Sequence, residues 1–219
     1  MAARQPIFNF TEPAPVWLGA VLIAAHALMQ FAPQELGNSF YNLAVLAARD
    51  GNVLLGRGGV GSFGSLALHG LLHADWGHVL INSAMIAVFG VLVCRAARGS
   101  GGATWRANGR FLTIFVLSII AGGLAQWLWW ALSHGTGQAV GASGGASGLF
   151  AAAAWVLGGK ERVLKYGLGW IAVNILMAAG GFMGSQIAWA AHLGGYLGGA
   201  LLALVFLRPN STNFVITRR

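Results

Sequence analysis

Charge is what this sequence lacks most. Asp, Glu, Lys and Arg make up 8% of its 219 residues, where soluble domains carry about one quarter. Only five residues are acidic, Glu12, Glu35, Asp50, Asp75 and Glu161. None lies inside a long apolar run, so a buried histidine has no acid to orient it and an intramembrane proton relay lacks its carboxylates. The single cysteine, Cys94, excludes an internal disulfide; it ends an apolar run, outside any metal-ligand spacing, and reads as structural. No polar stretch is long enough to form a separate soluble domain.

Apolar sequence fills the chain instead, 57% of all residues. Crossing about 30 Å of hydrocarbon at about 1.5 Å per residue takes about 20 residues. Six runs meet or approach that length: about 15–32, 77–95, 111–132, 141–158, 165–182 and 187–207. The expectation is an all-α membrane protein, one polytopic domain over 1–219, with a long outer loop at about 33–76. The Ala-rich stretch from Ala24 to Ala32 is similar to a signal-peptide cleavage region, but an even number of spans fits the charges and favours a retained helix.

The net charge of +8 is explained by topology rather than by nucleic acid, because the basic residues cluster between runs. Arg95, Arg98, Arg106 and Arg110 separate runs two and three, and Lys160, Arg162 and Lys165 separate four and five. With Arg4, Arg208, Arg218 and Arg219, eleven of thirteen positive charges fall on one side. The positive-inside rule makes that side cytoplasmic and puts both termini there. Arg49 and Arg57 lie in the outer loop, and Trp127, Trp129 and Trp130 fall where an interfacial aromatic belt is expected. The 34 glycines recur at four-residue spacing, as in Gly141/Gly145, Gly144/Gly148, Gly194/Gly198 and Gly195/Gly199. Such faces let helices approach closely, so runs four and six are expected to be central and adjacent.

Polar groups within the runs need a reason, since the bilayer core offers no water. Four stand out: Ser143, His192, and the pair His78 and Asn82, which share a helix face. With the orientation above, all four lie within about six residues of the outer ends, a layer under about 10 Å deep. A serine hydroxyl needs a base, and histidine is the candidate. An oxyanion needs donors, which the Asn82 amide, an imidazole N–H and the Ser143 backbone N–H at a helix start can supply. The stretch "VGASGGASGLF", Val140 to Phe150, offers GASG twice. Ser143 stands in the first turn, where backbone N–H groups are free, whereas the Ser147 N–H is committed to the helix. In a Gly/Ala helix two serines are otherwise plain packing residues.

Three motifs in this order resemble the rhomboid intramembrane serine proteases: "HGLLHADWGHVLIN" (His69 to Asn82), "VGASG" (Val140 to Gly144) and "AHLGGYLGG" (Ala191 to Gly199). The resemblance implies a six-helix bundle whose first outer loop lies partly within the outer membrane layer. It implies Ser143 as nucleophile, His192 as general base, and His78 and Asn82 at the oxyanion, with His73 a structural residue bonding loop backbone. It implies cleavage of transmembrane protein substrates near their membrane boundary, with a mobile fifth helix or a loop admitting substrate and water. Two departures stand out. Family members often carry a Trp-Arg pair ahead of the histidine motif, where this chain has "GRGGVGSFGSLALH", Gly56 to His69. Many place an aromatic residue four after the nucleophile, packed on the base, where this chain has Ser147; a Ser147 hydroxyl bonded to the i−4 carbonyl or a water is the expected substitute.

His69 and His73 are also four apart, but a metal would want a third ligand and only Asp75 is near, so no metal and no cofactor are expected. Asp75 and Trp76 are expected at the interface, and His26 and His134 match no motif. Two other readings stay open: a catalytically silent relative that binds membrane-protein clients, and a small transporter using histidines, which the absent intramembrane acids weaken. The expected partners are transmembrane substrates and the lipid bilayer, not nucleic acid, and the short termini point to a bacterial inner membrane. The small-residue faces serve internal packing and dimerisation equally, so oligomeric state is open.

Overall fold

The computed structural model describes residues 12–54, 63–99, 102–179 and 187–209. Arg4, Arg57, Arg218 and Arg219, which enter the orientation argument, and residues 180–182 of the fifth run lie outside these. Along the chain come α1 (Pro13–Phe31), α2 (Gln34–Ala44), β1 (Leu46–Arg49), β2 (Asn52–Leu54), α3 (Ser65–Leu68) and a 3₁₀ turn (His69–Leu71). They are followed by α4 (Trp76–Arg98), α5 (Thr104–Ser133), β3 (Gly137–Ala139), α6 (Ser143–Ala179) and α7 (Trp189–Phe206).

Among the described residues four helices, α1, α4, α5 and α7, are long and apolar enough to cross a membrane. Helix α6 leaves helical geometry at Gly158 and Gly159, and Gly159 takes φ 60°, a left-handed conformation that glycine adopts without steric cost. Two arms result, 143–157 and 160–179, and the cluster Lys160, Arg162 and Lys165 opens the second.

Close backbone approach holds the centre together. A Cβ on Gly195 would collide with the backbone of Gly144, and one on Gly199 with that of Gly148. The two glycine pairs of α6 and α7 thus sit face to face at successive turns, where lipid tails provide no hydrophobic drive and dispersion contacts must do the packing. On its other side α7 meets α5, where a Cβ on Gly122 would lie 2.5 Å from the Ala191 carbonyl oxygen. Phe111, Ile114, Phe115 and Ile119 of α5, Ile86 and Val93 of α4, and Ala146 and Leu149 of α6 form the main core. Helix α1 is tied to α4 at one end by Arg98 Nη2 donating to the buried Glu12 Oε2 at 2.6 Å, and along its length by Ser83 Oγ donating to the Gly19 carbonyl.

Helix α4 begins where Asp75 Oδ1 accepts from the His78 N–H at 2.8 Å, an N-cap that satisfies one orphan donor and sets negative charge at the positive helix end. Asp75→Ala is expected to cost about 1 kcal/mol, read as a lower melting temperature in detergent. An unchanged melting temperature would remove the cap from this account of α4.

Three short strands, in the order β2-β1-β3 with both pairings antiparallel, depart from the all-helical expectation. Asp50 and Gly51 form a two-residue turn between β1 and β2, both at positive φ (51° and 79°), the pattern of a type I′ hairpin. The described residues of the predicted loop at 33–76 are therefore built structure: β1 joins them to β3, and Leu46, Ala48 and Leu66 pack with Trp127, Trp130 and Ala139. This corrects the reading of the tryptophans as an interfacial belt. Trp127 and Trp130 are buried under the sheet, and only Trp129 is exposed, its ring 4.7 Å from that of Trp189.

Candidate active site

The sheet and helix starts converge on one cavity of about 360 Å³, whose walls include His78, Asn82, Ser143, Trp170 and His192. Ser143 begins α6, directly after the β3 edge, and its Oγ lies 2.9 Å from His192 Nε2 on α7. The glycine contacts of α6 and α7 explain the proximity, because helices in backbone contact bring short side chains within hydrogen-bond reach. The other ring nitrogen, His192 Nδ1, lies 2.6 Å from Asn174 Oδ1, and Asn174 Nδ2 donates to the Trp170 carbonyl at 2.8 Å. Asn174 and His192 are both buried, 2% and 8% exposed.

The approach to Ser143 is fastened from below. The Gly141 N–H donates to the His69 carbonyl at 2.9 Å, and the Ala142 N–H to His73 Nε2 at 3.4 Å. Burial pushes the His73 imidazole down to about 3, with His78 and then His26 adding to the effect; a neutral ring is what an acceptor at Nε2 requires. Gly141 holds φ 117°, and a Cβ there would lie 2.6 Å from His78 Nε2 and 3.5 Å from Asn82 Nδ2. Both side chains thus stand beside the segment that leads into Ser143. Asn82 is buried, and its Nδ2 has no hydrogen-bond partner among the described residues. The N–H groups of the first turn of α6 have no carbonyl partner within the helix.

A protein-family model, the Rhomboid domain, matches residues 61–209. The chain belongs to the rhomboid family. Comparison with the curated proteins finds no match.

In this rhomboid the residues singled out from sequence do not all come together. Ser143, His192, His78 and Asn82 share the cavity. Ser147 Oγ donates to the Ser143 carbonyl at 2.7 Å, so its hydroxyl is spent on helix backbone. His69 and His73 serve different partners: His69 Nδ1 donates to the Ser65 carbonyl at 2.8 Å, while His73 accepts from Ala142. His26 is buried edge-on to Trp76 with ring centroids 4.7 Å apart. His134 is exposed and ends α5 in the left-handed conformation.

The sequence expectations, which give a buried histidine no acid to orient it, do not include Asn174. Its signal was present: within "WIAVNIL", Trp170 to Leu176, it is the lone amide in an apolar run, and the rule that singled out Asn82 applies to it equally. The aromatic neighbour of His192 comes from the same arm of α6. Trp170 lies 5.9 Å from the imidazole at an interplanar angle of 41°.

Proposed function

We propose that this rhomboid is an intramembrane serine endopeptidase acting on transmembrane protein substrates near the outer membrane boundary. One observation carries the reading: Ser143 Oγ and His192 Nε2 lie 2.9 Å apart at a cavity that also receives His78 and Asn82. Ser143 attacks the scissile carbonyl while His192 Nε2 takes its proton. The carbonyl oxygen, now an oxyanion, accepts from the Asn82 amide, the His78 imidazole and the Ser143 N–H. His192 then gives its proton to the departing amine, leaving an acyl-serine. Water enters, loses its proton to His192 and releases the acyl fragment, restoring Ser143. The chain is a multi-pass protein of a bacterial inner membrane with both termini in the cytosol, each arm of α6 making one of six spans.

A fluorophosphonate probe on detergent-solubilised protein is expected to label wild type and not Ser143→Ala. Labelling that persists in that variant would sink the assignment, and a wild type that neither labels nor cleaves a panel of transmembrane substrates would favour a client-binding protein. Asn82→Ala is expected to lower kcat by about 10²-fold with KM little changed, the usual worth of one oxyanion donor. Unchanged turnover on several substrates would remove Asn82 from the oxyanion site.

A further inference from the structure

We infer that Asn174 is the positioning residue for His192, fixing its tautomer and tilt so that the Nε2 lone pair faces Ser143. The inference rests on the serine-endopeptidase reading of the site.

The hydrogen-bond chain has only one consistent assignment. The Trp170 carbonyl can only accept, so the amide atom 2.8 Å from it is the Asn174 nitrogen and the oxygen is turned toward the imidazole. That oxygen can only accept, so His192 Nδ1, 2.6 Å away, carries the ring proton. A neutral imidazole protonated at Nδ1 has its lone pair at Nε2, and Ser143 Oγ is 2.9 Å from it. The tautomer that catalysis needs is thus set by a backbone carbonyl two hydrogen bonds away from the imidazole.

The environment explains why an amide does this work. All five carboxylates lie outside the long apolar runs, and burying an ionised one beside His192 would cost several kcal/mol. An amide oxygen holds the same proton without bringing a charge. The local pattern points the same way. Val173, Ile175 and Leu176 are exposed on the apolar surface of the arm, while Asn174 alone turns inward and is buried. Its nitrogen donates to a carbonyl of its own helix, and its oxygen accepts from His192. Among the described residues no other side chain bonds His192 Nδ1, and the Ser147 hydroxyl is bonded to the Ser143 carbonyl.

The test uses full-length protein in proteoliposomes, measuring kcat and KM on a model transmembrane substrate and the rate of fluorophosphonate labelling at Ser143. Asn174→Leu is expected to lower kcat and the labelling rate by about 10²–10³-fold with KM within about twofold, somewhat less than the loss of the orienting acid in a soluble protease. Asn174→Asp, which in its neutral form still donates to the Trp170 carbonyl and accepts from Nδ1, is expected to hold both rates within about tenfold of wild type. Nitrogen NMR of the His192 ring reads the tautomer directly, with Nδ1 protonated in wild type and a mixture in Asn174→Leu. Where the Leu variant fails to fold, Asn174→Ser, too short to span the gap, takes its place. Wild-type kcat in the Leu or Ser variant, equal losses in Leu and Asp, or a loss confined to KM would overturn the inference while leaving the protease reading intact. A wild type whose Ser143 never labels would defeat the protease reading, and the inference with it.

Discussion

Ser143→Ala is expected to bring cleavage of a transmembrane substrate to the floor of the assay, while Ser147→Ala leaves kcat within about tenfold of wild type. In a soluble serine protease, loss of the nucleophile or of its base each costs about 10⁶ in kcat, and the losses do not add. His192→Ala and the double variant should therefore fall to the same floor. The two serines have the same flanking sequence and differ in what surrounds them. Ser143 Oγ faces an imidazole at a cavity wall, whereas Ser147 is fully buried with its hydroxyl on the carbonyl four residues back. Such a back-bonded serine adds little to helix stability, so removing it is mild. The comparison is made in proteoliposomes with melting curves on each variant. Retained cleavage in Ser143→Ala with loss in Ser147→Ala would invert the assignment.

What sequence made legible was whatever broke a strong rule. A hydroxyl, an amide and two imidazoles in apolar runs are costly enough to stand out, and equal depth links Ser143, Asn82, His78 and His192. Glycines four apart forecast where backbones touch, and Gly144 and Gly148 do meet Gly195 and Gly199. The partner of His192 is not legible from a rule that expects an acid beside the imidazole. An amide can hold an imidazole tautomer as well as a carboxylate can, and in an apolar bundle it avoids burying a charge.

The sheet escaped for a different reason. Strands of three or four residues are too short for an alternation to emerge, and hydropathy alone treats 33–76 as connection. The Asp50-Gly51 turn was nevertheless a direct hairpin signal. Its consequence reaches the site, since β3 on β1 fixes the strand that delivers Gly141, Ala142 and Ser143. The tryptophans were misassigned because an interfacial belt and a buried wedge share one composition. Only the sheet above them makes Trp127 and Trp130 internal.

Gly141→Ala is expected to lower kcat by about 10³-fold or more, the combined worth of two disturbed oxyanion donors. Gly141 holds φ 117°, a conformation that costs other residues about 1–3 kcal/mol. Its added methyl would lie 2.6 Å from both Cε1 and Nε2 of His78, and 3.5 Å from Asn82 Nδ2. The backbone has little freedom to yield, because the Gly141 N–H is bonded to the His69 carbonyl and β3 is paired just before it. His78 must move instead, and His73 stands edge-on with ring centroids 5.1 Å away. The displaced ring enters the space a substrate carbonyl needs. Gly169→Ala is the matching control: no atom of the described residues lies within 4 Å of its added methyl, and turnover should stay at the wild-type level. Melting curves separate a lost fold from a lost oxyanion site. A folded Gly141→Ala with wild-type kcat would show that His78 and Asn82 do not hold the oxyanion from where they stand.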